Sequence, residues 1–212
     1  MSRSLRTFSL ALLFTPSLIL VPCARAGFPP IGNPILPGCI RLVGSDGVQA
    51  SPSGAFSVVV RDLANNPLPF VAVIVDLSGA PDLRLCGNQL DASLTLDCTN
   101  ARVSALTDAN GVARFTLLGG GYGPPFTIGF PAQIFCQGFL LGSVPVCSFD
   151  LDGQGGVSAN DLSVWLAEFA AGTPYVRSDF DCSGDVGAND LSFWFGAFAS
   201  GTQIGSCGTT CP

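Results

Sequence analysis

The chain has 212 residues, 48% hydrophobic and only 11% charged, with nine Lys+Arg against fifteen Asp+Glu, a net charge of −6 and no His. All nine basic residues are Arg. An acidic surface repels nucleic acid and anionic lipid and attracts cations, and a chain without imidazole has no Ser-His-Asp or Cys-His site.

Residues 1–26, MSRSLRTFSLALLFTPSLILVPCARA, place Arg3 and Arg6 before a short apolar stretch and end on Ala24-Arg25-Ala26. This is the pattern of a secretory signal peptide with an A-x-A cleavage site. Pro16 and Pro22 leave the apolar run too short for a spanning helix, which needs about 20 residues. After it the longest apolar run is Phe70 to Val75, so the mature chain is expected to be soluble and secreted, extracellular or at the cell surface. Cleavage removes Cys23 and leaves Cys39, Cys86, Cys98, Cys136, Cys147, Cys182, Cys207 and Cys211. An even number in an exported chain reads as a disulfide framework, and without His or a C-x-x-C pair a zinc site is disfavoured. Proximity suggests Cys86–Cys98 and Cys39–Cys136, with Cys147, Cys182, Cys207 and Cys211 closing among themselves.

Residues 27–146 read as all-β. Apolar runs recur at FSVVVRD (56–62), FVAVIVDL (70–77), VSAL (103–106), VARFTLL (112–118), FTIGF (126–130) and QIFCQGFLLG (133–142). Turn signals lie between them: NNP at 65–67, DANG at 108–111 and GGGYGPP at 119–125. Asn110-Gly111 between two β-type runs predicts a hairpin. Six or seven short strands in roughly this length fit an immunoglobulin-like sandwich. VVVRDLANNPLPFVAVIV followed by ALTDANGVARFTL resembles the bacterial immunoglobulin-like domains of invasin and intimin type, where V-x-D-x-x-G-x-P precedes T-D-A-N-G-x-A. Here Asn65-Asn66 stand in place of the Gly, and four cysteines are additional. A carboxypeptidase-regulatory or transthyretin-like sandwich reads nearly the same, and such a scaffold carries no function of its own.

The charge changes at 147. Residues 27–146 carry five Arg against seven Asp, net −2, whereas 147–212 carry Arg177 alone against seven Asp and Glu168, net −7. The acids gather in DLDGQGGVSAND (150–161) and DFDCSGDVGAND (179–190). A twelve-residue calcium loop needs side-chain oxygens at positions 1, 3 and 5, glycine at 6, a carbonyl at 7, often a water-mediated contact at 9, and a carboxylate at 12. The first loop offers Asp150, Asp152, Gln154, Gly155, the Gly156 carbonyl, Ser158 and Asp161. The second offers Asp179, Asp181, Ser183, Gly184, the Asp185 carbonyl, Gly187 through water, and Asp190. Val157 and Val186 occupy position 8. Residues 150–173 and 179–202 are identical at 14 of 24 aligned positions, well past the acids, so two bound Ca²⁺ are expected rather than two chance acidic turns.

Each loop runs into a predicted helix. Leu162, Trp165, Leu166 and Phe169, and again Leu191, Trp194, Phe195 and Phe198, fall at i, i+3, i+4 and i+7. Gly172 and Gly201 suit left-handed caps, and Pro145 and Pro174 leave no helix ahead of either loop. The two apolar faces are expected to pack on each other, with Trp165 and Trp194 in the core. This tandem of loop plus exiting helix, with Asp at position 12, resembles the dockerin domain over 150–202. Dockerins are secreted calcium-dependent modules that plug into cohesin domains, usually at the C-terminus of polysaccharide-degrading enzymes or other surface proteins. The resemblance implies a cohesin-like partner held by loop positions 10 and 11, which here are Ala159-Asn160 and Ala188-Asn189. Well-known dockerins often carry a hydroxyl pair there and basic residues farther down the helix, where Leu166-Ala167 and Phe195-Gly196 stand in this chain.

The sequence therefore predicts a signal peptide (1–26), an immunoglobulin-like β-sandwich (27–146) and a small α-helical dockerin-like calcium module (147–212). No catalytic role is expected: the one Glu is on a predicted helix, and the Asp residues of 27–146 sit mostly in turns rather than as a paired acid and base. The competing expectation is a structural or adhesive surface protein whose calcium loops only rigidify its C-terminal part.

Overall fold

The structure, a computed structural model, describes residues 31–122, 131–154, 156–172, 176–199 and 211. The segment 1–26, the run 126–130, Gly155, Gly201 and Cys207 lie outside the described residues.

Eleven strands come first among the described elements: β1 (Ile40–Leu42), β2 (Ala55–Val59), β3 (Ala72–Asp76), β4 (Leu83–Leu85), β5 (Thr95–Asp97), β6 (Arg102–Leu106), β7 (Val112–Thr116), β8 (Gly119–Gly121), β9 (Ala132–Cys136), β10 (Phe139–Val144) and β11 (Val146–Ser148). Two helices follow, α1 (Ala159–Ala171) and α2 (Ala188–Ala199). A five-stranded sheet runs β10-β9-β3-β6-β5, and three two-stranded ladders pair β2 with β7, β4 with β8, and β1 with β11. Alternation drives the layering. Val73 and Val75 of β3, Val103 and Ala105 of β6, and Ile134 of β9 turn one face of the sheet inward. Val58 of β2 and Ala113 and Phe115 of β7 meet them in a single core. The chain is thus a β-rich body with two helices at its C-terminal end, and among the described residues no helix is long and apolar enough to cross a membrane.

Three local expectations are corrected. The turn at 108–111 forms: Asp108 Oδ1 accepts from Asn110 N and Val112 N, and Gly111 N bonds Asp108 O. It does not make a hairpin, because β6 joins the five-stranded sheet while β7 pairs with β2. Only Gly111 has positive φ (+74°), whereas a two-residue hairpin turn of type I′ needs it at both central residues. A Cβ on Gly111 would also meet Val60 O at 2.5 Å. The turn that does meet that requirement lies in 133–142, read as one run: Gln137 (φ +51°) and Gly138 (φ +83°) fold it into the β9–β10 hairpin. Finally, Gly119–Gly121, read as a turn, is strand β8, antiparallel to β4.

The cysteine pairing is also overturned. Cys39 bonds Cys182 and Cys98 bonds Cys211, and both bridges cross the charge boundary at 146. Cys86 is disulfide-bonded as well, while Cys136 and Cys147 are free and buried. Sequence proximity failed because the chain returns. β11 lies parallel to β1, with Arg41 opposite Cys147, and Cys211 N bonds Leu85 O inside the β core. Burial raises the Cys136 thiol and pushes Cys147 up to about 12. Since the thiolate is the reactive form, neither should be alkylated in the folded chain. Mass spectrometry after native iodoacetamide treatment should find both unmodified and, after denaturation, both labelled. Native labelling of Cys147 would contradict its burial.

Candidate metal centres

Each acidic loop is organised by its own carboxylates. In the first, Asp150 Oδ1 accepts from Gly153 N at 2.7 Å and Oδ2 from Gly156 N at 3.1 Å. Asp152 Oδ1 takes Gln154 N. Asp161, the third helical residue of α1, reaches back: its Oδ1 accepts from Leu151 N and Asp152 N, and its Oδ2 from Ser158 N. Ser158 Oγ caps α1 by accepting from Asn160 N, and it donates to Asp161 Oδ2, a capping box. The second loop repeats the plan. Asp179 accepts from Ser183 N and Gly184 N, Asp181 from Ser183 N, and Asp190 from Asp181 N and Gly187 N. Ser183 Oγ turns to the Asp185 carboxylate at 2.8 Å. Gly184 is left-handed at φ +99°, as the sharp turn requires.

The result is two matching carboxylate triads, Asp150–Asp152–Asp161 and Asp179–Asp181–Asp190, each with ligand oxygens within 4.8 Å of one another. In each, two members are buried and one half-buried. Burial raises the pKa of Asp161 above the usual carboxylate range against the hydrogen bonds it accepts, and burial does the same for Asp179, helped by neighbouring Asp190. Clustered, dehydrated carboxylates of this kind are what a divalent cation relieves, and an all-oxygen donor set suits a hard ion. Both triads can hold a metal ion. Gln154 and Asp185 sit on the exposed outer edges of their loops, and Ala159, Asn160, Ala188 and Asn189 are exposed at the starts of α1 and α2.

Behind the loops lies a second core. Trp165 and Trp194 are 2% and 1% exposed and share it with Phe149, Leu151, Val157 and Phe180. Val43, Cys86 and Leu118 of the β-rich body belong to the same cluster, so the helices are packed on that body rather than on each other alone. The inward stripe is narrower than the periodicity suggests: Leu166, Phe169 and Phe195 remain about half exposed.

Two features of this region were not foreseen. Arg177 and Glu168 form a buried ion pair, with Nε and Nη2 donating to Oε1 at 3.1 and 2.7 Å and side chains only 3% and 5% exposed. Ser178 Oγ donates to Glu168 Oε2. The available clue was that these are the sole Arg and sole Glu of 147–212. The other is the seating of the first loop on β8. Gly121 N bonds Asp150 O at 2.5 Å, and a Cβ on Gly120 or Gly121 would strike Asp150 Oδ2 at 2.7 Å or Leu151 O at 2.5 Å. Glycine, poor in strands for want of a side chain to pack, is required there for close approach.

Fold and site define a β-rich protein carrying tandem acidic loop–helix units, each able to hold a metal ion. No family model, curated protein or solved structure matches the chain.

Proposed function

We propose that this is an exported, non-catalytic protein in which an immunoglobulin-like sandwich carries a dockerin-like module. That module binds two Ca²⁺ and docks to a cohesin-like protein domain, in polysaccharide degradation or cell-surface assembly. The observation that carries the reading is the duplication of a buried Asp triad at the same three loop positions, each leading into a helix. Asp150, Asp152 and Asp161 would hold one ion and Asp179, Asp181 and Asp190 the other; the ion would supply positive charge against the gathered carboxylates. Disulfides agree with an oxidising exterior. Calorimetric titration with CaCl₂ should find two sites, and a calcium-dependent pull-down from the source organism's exported proteins should retrieve a partner that chelator releases. No calcium heat would end the metal reading, and capture that ignores chelator would end the docking one.

Calcium affinity should depend on pH with a defined sign. The raised carboxyls of Asp161 and Asp179 favour the metal-free fold at low pH, and that contribution is lost as pH rises through their raised pKa values. The ion needs both ionised, so binding releases protons. Affinity should therefore climb with pH through that range and level off above it, whereas a flat titration would contradict the carboxylates' burial.

Docking through Asn160 and Asn189 should be redundant, since both are exposed at equivalent places. Changing either to Asp should cost about a factor of two, or about 0.4 kcal/mol, and changing both should cost far more. Titration of the captured partner checks this, and abolition by one substitution would mean a single docking face. A structural or adhesive role is the second reading, favoured by the bonds that fix both loops to the β-rich body.

A further inference from the structure

The two loops meet the β-rich body at the same place in their repeat. Position 4 is Gly153 in the first loop and Cys182 in the second, both left-handed at φ +70° and +58°. A Cβ on Gly153 would collide with Gly121 O of β8. Cys182 instead extends its side chain to the body and bonds Cys39, 143 residues away, just before β1. Residues two positions away on each side strengthen that anchor: Arg41 Nε donates to Phe180 O at 2.6 Å, and its guanidinium lies 4.9 Å over the Phe193 ring of α2. Cys182 also stands between Asp181 and Ser183, whose amide reaches Asp179 Oδ1. A non-glycine residue in the left-handed region costs energy and persists only where its surroundings fix it, and the covalent bond to Cys39 contributes that constraint here.

We propose that the Cys39–Cys182 bridge, seconded by Arg41, is a positioning device that pre-organises the second metal loop, so that the ion affinity of this loop, and not of the first, depends on the bridge being closed. The proposal rests on the calcium reading above. The first loop needs no such bond because glycine lets it sit directly on β8. The bridge is also placed to be opened. Both sulfurs belong to half-buried residues on an open cleft of about 480 Å³ that is lined as well by Pro37, Arg41, Phe56 and Asp181, whereas the other bridge joins half-buried Cys98 to Cys211, which is 1% exposed. An external dithiol would transfer two electrons and two protons, closing into its own disulfide while Cys39 and Cys182 become thiols. The second site would then be sensitive to reductant.

The test uses the full mature chain. Asp150→Asn silences the first loop and Asp179→Asn the second, and each is combined with Cys39→Ser plus Cys182→Ser. Calorimetry with CaCl₂ should show the open bridge weakening the second loop at least tenfold and the first less than twofold. A chain with Cys98→Ser plus Cys211→Ser serves as comparison, since that bridge touches neither loop; its calcium affinities should be unchanged. Hydrogen exchange in chelator gives a readout independent of calcium: opening Cys39–Cys182 should speed exchange at Ser183 and Gly184 more than at Gly153 and Gly156. Near-ultraviolet dichroism of the buried tryptophans reports whether each variant is folded. Equal weakening of both loops, or none, together with unchanged exchange at Ser183 and Gly184, would overturn the proposal. Absence of calcium binding by the parent chain would instead overturn the metal reading, and the exchange result alone would then decide whether the bridge orders the loop.

Discussion

Chelating calcium should lower the melting temperature of the full chain by about 10–20 °C. At free calcium about 100-fold above the dissociation constant, one site contributes roughly 2.7 kcal/mol, and two contribute roughly twice that. For a chain of this size each kcal/mol moves the midpoint by about 2–4 °C. The mechanism is electrostatic. Without an ion, two buried triads of carboxylates repel within 4.8 Å, and burial already works against ionising Asp161 and Asp179. The disulfides to Cys39 and Cys98 are unaffected by chelator, so the β-rich body should lose less of its hydrogen-exchange protection than residues 150–199. Differential scanning calorimetry with and without chelator measures the effect. An unchanged melt would mean that the loops are stable as acidic turns and that no ion contributes to the fold.

Replacing Glu168 by Leu should destabilise the chain by about 3–5 kcal/mol, the usual result of leaving one member of a buried pair uncompensated. The Arg177 guanidinium would remain 3% exposed with its carboxylate gone, and Ser178 Oγ would lose its acceptor. Arg177→Met should fail similarly, through a buried Glu168. Introducing both changes should recover much of the loss, because an apolar pair avoids the desolvation that the ion pair suffers. Urea denaturation of the four chains, closed as a double-mutant cycle, tests this. The pair joins the last turn of α1 to the Val176–Ser178 turn that delivers Asp179, so the single variants should also weaken the second loop's hold on calcium more than the first's. Additive effects of the two substitutions would show that the residues act independently.

The acidic loops and helices were legible because their chemistry is local. Asp at fixed spacing, the apolar period of each helix and the left-handed Gly172 after α1 each act within the loop or helix they shape. Strands β2, β3, β6 and β7 were legible for the same reason, as alternation is written in consecutive residues. What escaped was decided by distant partners. Gly119–Gly121 carries no strand propensity, and becomes a strand only because β4 offers hydrogen bonds on one side while Asp150 and Leu151 press from another. Three-residue β1 and β11 have too few positions to show a period, and their pairing joins residues 40 and 146. Asn110-Gly111 misled because a turn signal specifies the turn and not what the strands do after it. The disulfides follow from that same long-range topology.

The parallel pairing of β1 with β11 bears on how the chain is made. A ribosome delivers residues from the N-terminal end at about 5–20 per second, so Ile40–Leu42 must wait for Val146–Ser148 before its ladder can form. Cys39 waits longer still, for Cys182, and Cys98 for Cys211. Four cysteines, Cys86, Cys98, Cys136 and Cys147, lie between Cys39 and Cys182 in the chain and could oxidise with Cys39 in wrong combinations. The five-stranded sheet needs nothing beyond residue 144, and Cys136 on its β9 strand is buried in the finished core, where it takes no partner. The finished fold thus sets a requirement on oxidation: Cys39 must stay unpaired, or be reshuffled, until the segment that carries Cys182 has docked beside it.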